Sequence, residues 1–296
     1  MNYILFHIGE IPKHLSICLN NILSVDKSSK IYFLTDRKLN LPGIQTINIY
    51  EHENMIDKTN QIKEIYFGTN FENNPLWFTS LLRIYAVKYF SDNLNIKEFI
   101  HFDNDVLIYE PFEEIFNDTE VFKNNQINIT QLDNSNISFG YSYIPNKELL
   151  DHLIKFIEII LNDYKKYFKE INRGNPFNEM QILKRTFDEN SSNYNLLPIL
   201  PYSSSKYLFD PASYGQFLDG GHLNRGNFFI RRRYISMKHI VGSELMSKRI
   251  SIKFKDKPVV YFNKNEYKLV NLHVHSKNLY KFVSKEYKTY LNDHLF

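Results

Sequence analysis

Short apolar runs alternate with helical patterns from the amino terminus to Asp105, and few folds accommodate such an alternation. Tyr3-Ile4-Leu5-Phe6 reads as a buried strand closed by Gly9 and Pro12. His14 to Leu23 follows as a helix, with Leu15, Cys18, Leu19, Ile22 and Leu23 recurring on one side. Lys30 to Thr35 is a second strand, ending at Asp36, and Ile44 to Ile49 a third. Trp77 to Phe90 carries Leu81, Leu82, Tyr85, Val87 and Tyr89 at helical spacing. Glu98 to Phe102 is a fourth strand and delivers the chain to Asp103-Asn104-Asp105. Strands separated by helices build a parallel sheet with helices on both faces. The expected class is therefore α/β, a parallel sheet flanked by helices. In such sheets ligands bind beyond the carboxyl ends of the strands, where His7, Thr35-Asp36 and Asp103-Asp105 all fall.

The second half is less regular. Leu149 to Phe168 reads as a long amphipathic helix and Asn178 to Phe187 as a shorter one capped by Asn178. Phe209 to His222 is loop-like, and Phe228 to Ile240, Pro258 to Phe262 and Lys268 to Ser276 read as strands before a tail rich in Lys and Tyr. No repeat or linker interrupts the chain. The expectation is one domain over 1–296, with a nucleotide-type half at 1–115 and an acceptor-type half at 116–296.

Composition removes several function classes. Lys+Arg 36 against Asp+Glu 33 leaves +3, too balanced for nucleic-acid binding. The single cysteine, Cys18, excludes an intramolecular disulfide framework and a multi-cysteine zinc site. The start, Met1-Asn2-Tyr3-Ile4-Leu5-Phe6-His7, lacks the basic leader of a signal peptide, and no apolar run approaches the roughly 20 residues of a membrane span. A soluble cytoplasmic protein is the expectation.

Asp103 and Asp105 carry the chemistry. Carboxylates at i and i+2 of an extended strand share one side, and at the mouth of an apolar strand they repel unless a cation joins them. Hard divalent ions such as Mg²⁺ and Mn²⁺ suit carboxylate and phosphate oxygens, which suggests a metal–diphosphate site; the alternative is a plain strand-to-turn transition. Near the end, Asn271, His273 and His275 alternate with Val270, Leu272 and Val274, so both imidazoles face one polar region. His275, at the strand end and followed by Ser276-Lys277, is favoured over His273 as a ligand for Mn²⁺, a borderline ion that accepts nitrogen.

The hydrophobic strand ending in Asp103-Asn104-Asp105 resembles that of the metal-dependent GT-A-fold glycosyltransferases, of bacterial or viral type. Three segments add to the resemblance: Leu76 to Tyr85, whose Arg83 would face the donor; Phe209-Asp210-Pro211-Ala212-Ser213-Tyr214-Gly215-Gln216-Phe217-Leu218; and Asn271 to Lys277, like the segment that supplies a metal-binding histidine. It spans Tyr3 to Phe282 and implies a GT-A-like, Rossmann-type mixed, mainly parallel sheet flanked by helices, a nucleotide-sugar donor (a UDP-sugar first), an acceptor hydroxyl on a glycan, protein or lipid-linked chain, and Mn²⁺ or Mg²⁺. His7, Ile8 and Gly9 would meet the base, and Thr35 and Asp36 base or ribose. Asp103 and Asn104 would meet the donor, with Asp103, Asp105, His275 and His273 around the metal. Arg83 would reach phosphate or sugar, and Lys277 would neutralise the departing diphosphate. An inverting reaction needs a carboxylate base, for which Glu179 and Asp219 are candidates, and Asp133 is a candidate sugar contact. Two rivals are a phosphohydrolase, since Asp-x-Asp after a strand also marks aspartate-nucleophile phosphatases, and a silent carbohydrate-binding module. The phosphohydrolase ranks lower because about a hundred residues precede Asp103, Val106 and Leu107 follow it, and no later Asp-Asp occurs.

Overall fold

Alternation in β1 (Asn2–His7) sends Tyr3 and Leu5 into one apolar layer and Ile4 and Phe6 into another, and all four are buried. A strand apolar on both faces belongs inside a sheet covered on both sides. The computed structural model shows this arrangement; it describes residues 1–69, 72, 74–118, 121–166, 177–219 and 238–294.

In chain order the elements are β1, α1 (Leu15–Val25), β2 (Lys30–Thr35), β3 (Ile44–Asn48), α2 (Glu53–Tyr66), α3 (Pro75–Asn93), β4 (Phe99–Phe102), β5 (Val106–Ile108) and α4 (Phe112–Asp118). Then come β6 (Ile127–Asp133), β7 (Asn136–Ile144), α5 (Leu149–Asn162), α6 (Glu179–Glu189), β8 (Tyr194–Leu196), β9 (Tyr207–Leu208), α7 (Tyr214–Asp219) and α8 (Ile240–Met246). The last are β10 (Ser251–Phe254), β11 (Pro258–Phe262), β12 (Asn265–Leu269), β13 (Asn271–His273) and α9 (Lys285–His294).

The main sheet has seven strands in the order β3-β2-β1-β4-β7-β6-β8. Pairings β1–β2, β1–β4, β2–β3 and β6–β8 are parallel, whereas β7 is antiparallel to β4 and β6. The sheet is thus mixed and mainly parallel, as expected. One face packs on α2, α3, α5 and α6. The other packs on α1, on α8 and on a four-stranded sheet, β10-β11-β12-β9. Strands β5 and β13 form a separate antiparallel pair.

The first three strands, α1 and α3 fall where the apolar patterns put them. Asn178 caps α6 in a full capping box with Gln181. Elsewhere the structure departs from the sequence pattern or goes beyond it. The hairpin β6–β7 and helix α2 lie in segments without a clean sequence period. Within the Phe209–His222 loop, residues 214–219 are helical. The closing strand is two strands: β12 completes the small sheet and β13 pairs with β5. Val270, whose N–H goes to Leu208 and whose carbonyl takes the Tyr109 N–H, is the point of transfer between them. The strand expected over Phe228–Ile240 lies mostly outside the described residues, and Ile240 starts α8. Among the described residues no helix is long and apolar enough to cross a membrane.

Candidate active site

β4 stops at Phe102, and the next three residues turn, closed by Val106 N–H donating to the Asp103 carbonyl at 3.1 Å. The two carboxylates are therefore joined by a turn rather than by continuing strand, and the strand-to-turn alternative describes the local backbone. They converge all the same. β13 lies antiparallel on β5, with His273 opposite Val106, and Val274 N–H donates to the Asp105 carbonyl at 2.8 Å. This pairing brings the His273 ring to Asp105, with Nε2 3.0 Å from Oδ1 and 4.0 Å from Asp103 Oδ2. One ligand atom each from Asp103, Asp105 and His273 lies within 4.8 Å of the others. Two carboxylates and an imidazole form a donor set that could hold a divalent cation.

His275 sits differently from the sequence expectation. Its ring stacks on His273, with centroids 4.4 Å apart, while Nε2 lies 3.2 Å from both the Ala212 carbonyl and the Gln216 amide. Burial, with His273 beside it, pushes His275 down to about 3, so it is neutral at pH 7. The residue in the carboxylate cluster is His273, one step of the alternation earlier than the favoured candidate. The reason is that β13 ends at His273 and the chain then turns.

Asp210 and two glycines build the seat for this cluster. The buried Asp210 carboxylate accepts N–H groups from Ser213, Tyr214 and Gly215 at the start of α7, and from His273 on β13. Its own backbone is held by the Asn271 side chain through both N–H and C=O, so the polar face expected for Asn271 serves the scaffold. A Cβ on Gly215 would overlap the His273 carbonyl oxygen, and one on Gly140 of β7 would lie 2.9 Å from Asp103 Oδ2 and 3.4 Å from His273 Nδ1. Both positions need glycine for close approach. Gly140→Ala is expected to weaken Mn²⁺ binding about tenfold, the scale of a disturbed supporting contact. Calorimetric titration with Mn²⁺ checks this; an unchanged affinity contradicts it.

Every carboxylate in the cluster has a cationic partner. Arg83, buried on α3, contacts Asp103 through Nη1 and Glu179 through Nη2, the latter at 3.1 Å. Lys277 Nζ contacts Asp105 Oδ2. Burial acts to raise the Asp105 carboxyl, but His273 and Lys277 outweigh it and hold it well below the usual range. Burial raises Glu179, with Arg83 opposing, and the net direction is upward. Burial lowers Arg83 against the pull of Glu179 and Asp105. These groups line a cavity of about 680 Å³, together with Ile8, Trp77, Gln216 and His239.

The remaining candidates fall into three groups. His7 and Asn104 reach the cavity and are tied to each other: Asn104 Nδ2 donates to His7 Nδ1 at 2.8 Å, while Asn104 Oδ1 faces His14 Nε2 at 3.3 Å. With His7 Nε2 donating to the Glu10 carbonyl at 2.7 Å, the proton positions along this chain follow from the partners. Thr35, Asp36 and Asp133 lie away from the cavity wall. Thr35 is fully buried; Asp36 takes the Gly9 N–H on both oxygens; Asp133 accepts from Ser135 N–H and Asn136 in the β6–β7 turn. Gly9 has a φ of 101°, so it serves this bend. Asp219 ends α7, and its side chain lies outside the described residues, as do Gly220 to Met237.

Asp210, Gly140, Gly215, Gln216 and His239 were not marked as site residues by sequence reasoning. Ala212, Ser213 and Gly215, small residues around Tyr214, are the available signal for a tight helix start, with Ala212 at φ 81°. No sequence signal marks His239, which stands at the N-terminal boundary of α8 and bonds Ser213 Oγ at 3.2 Å.

No family model matches the sequence, and no curated protein matches it. Among solved structures the chain is similar to the galactosyltransferase LgtC in complex with donor and acceptor sugar analogues, at 13% identity and TM-score 0.46, over 76% of this chain and 81% of that one. It is similar to mouse xyloside xylosyltransferase 1 in its apo form at 10% identity and TM-score 0.44, over 67% and 86%. The PaToxG glycosyltransferase matches at 10% identity and TM-score 0.43, over 64% and 68%. The site's own geometry must carry the functional reading.

Proposed function

We propose that this chain is a GT-A-type glycosyltransferase that moves a sugar from a nucleotide-sugar, a UDP-sugar first, to an acceptor hydroxyl with the help of Mn²⁺ or Mg²⁺. The observation that carries this is the convergence of Asp103, Asp105 and His273 at the carboxyl end of β4, on the wall of a cavity with Arg83 and Lys277. In a sheet of this kind that end is where ligands bind. Asp103, Asp105 and His273 would hold the ion, which when bound supplies positive charge to the leaving diphosphate.

The chain's own groups do the rest. Lys277 offers a point charge to a diphosphate oxygen. Arg83 fixes Asp103 and Glu179 relative to each other, so the α3 and α6 walls of the cavity keep one geometry. Glu179, at the first position of α6 and in the cavity lining, is the described carboxylate placed to take a proton from an acceptor hydroxyl. Ile8 and the His7–Asn104–His14 chain would meet the donor, and Leu76 and Trp77 add an apolar lining to the same cavity. An acceptor on a glycan, a protein or a lipid carrier is compatible with this opening.

The assignment of ligands predicts an order. His273→Ala should lower Mn²⁺ affinity about a hundredfold, whereas His275→Ala, which removes a stacked neighbour, should lower it by about tenfold or less. Calorimetric titration of both variants measures the order, and the reverse result returns the ligand role to His275.

Nucleoside diphosphate release from a panel of nucleotide-sugars, with Mn²⁺ and with chelator, tests the function. Slow hydrolysis of at least one donor, lost on chelation, is expected. Absence of release from every donor favours the carbohydrate-binding module, and phosphate release from a phosphomonoester favours the phosphohydrolase.

A further inference from the structure

Both oxygens of the Asp105 carboxylate are already engaged by the chain. Oδ2 is in contact with Lys277 Nζ, and Oδ1 lies 3.0 Å from His273 Nε2. A divalent ion held by Asp103, Asp105 and His273 draws on an oxygen of this same, already engaged carboxylate. An ammonium and a divalent cation cannot share one carboxylate oxygen at contact without strong repulsion.

Of the cations at the site among the described residues, Lys277 is the one able to leave. Its side chain is 39% exposed, against 8% for Arg83, which is held by two carboxylates. Its head sits on a flexible four-carbon stem. Its backbone is pinned at φ 64° by the Lys277 N–H to Val274 carbonyl bond of 2.9 Å, so the head can swing while the turn stays in place. That φ lies in the region that favours glycine.

We infer, on the metal and diphosphate reading given above, that Lys277 is a competing internal cation that couples divalent-ion binding to diphosphate binding. The ion displaces the ammonium from Asp105, and a diphosphate gives the displaced ammonium a new anionic partner. Ion alone then binds weakly, and ion and diphosphate each strengthen the other by the same factor, as linkage requires. No covalent step is involved.

The test uses the full chain and no nucleotide. Lys277→Met is expected to bind Mn²⁺ about tenfold more tightly than the unmodified protein in calorimetric titration, a factor typical of coupled sites. Acylation of Lys277, followed by peptide mass, should accelerate on addition of Mg²⁺ alone and slow again when inorganic pyrophosphate is added with Mg²⁺. Equal or weaker Mn²⁺ binding by the variant overturns the inference, as does a Lys277 acylation rate that ignores Mg²⁺. If neither protein binds Mn²⁺, the metal reading of the site falls and takes this inference with it. If both bind with equal affinity, only the competition by Lys277 is lost.

Discussion

Asp105→Asn is expected to lower metal-dependent turnover about a thousandfold, the scale seen when preorganised charge is removed from a reacting site. The change is nearly isosteric, so it removes charge and leaves shape. The turn should persist, because Val106 N–H to Asp103 and Val274 N–H to Asp105 are backbone bonds that the substitution does not touch. Lys277, partly exposed, can return to water, and His273 retains its backbone bond to Asp210. Turnover in Mn²⁺ and thermal melting, measured together, check both halves of this expectation. Turnover within tenfold of the unmodified protein would remove Asp105 from the reaction. A lost melting transition would instead give it a structural role.

Asp210→Ala should have the largest effect on stability. It leaves four buried N–H donors, from Ser213, Tyr214, Gly215 and His273, without their acceptor. Each unsatisfied buried group costs about 1–3 kcal/mol, and partial repair by water should leave a net loss of about 4 kcal/mol. Because one donor is the backbone of His273, Mn²⁺ binding should weaken along with the fold. Denaturant unfolding measures the first effect and calorimetry the second. A loss under about 1 kcal/mol would mean that α7 and β13 hold their positions without this carboxylate.

The acidic pair at the tip of β4 is legible because its placement depends on local pattern. A run apolar on both faces must be a buried strand, and the acids that end it fall where α/β sheets bind ligands. Lys30–Thr35 and Pro258–Phe262 appear with the boundaries their apolar pattern gives, and the cap at Asn178 appears with its partner Gln181. What escaped was set by tertiary contact. The choice between His273 and His275 depends on where β13 stops and turns, and the pairing of β13 with β5 decides that. Thr35 and Asp36 end a strand as the candidates should, yet one is buried in the sheet and the other closes the Gly9 bend. Asp210 looked like part of a loop because its partners lie up to 63 residues away in sequence. Gly140 gave no signal at all. Its need for a missing side chain exists only once β7 lies against the 103–105 turn.

The same physics explains why the site tolerates so much charge in a buried place. A buried carboxylate is costly unless paired and hydrogen-bonded. Asp103 and Glu179 share Arg83, and Asp105 has Lys277 and His273. Removing one partner therefore exposes the cost carried by the other, which is why substitutions at this cluster should act far more strongly than those at the surface lysines.

Anomalous scattering from crystals grown with Mn²⁺ and a nucleoside diphosphate locates the ion directly. One manganese peak, at coordination distance from Asp105 and from the His273 ring with Lys277 turned onto the diphosphate, is the expected result. A peak bound elsewhere, or diphosphate density in the cavity with no metal between it and Asp105, would contradict the account.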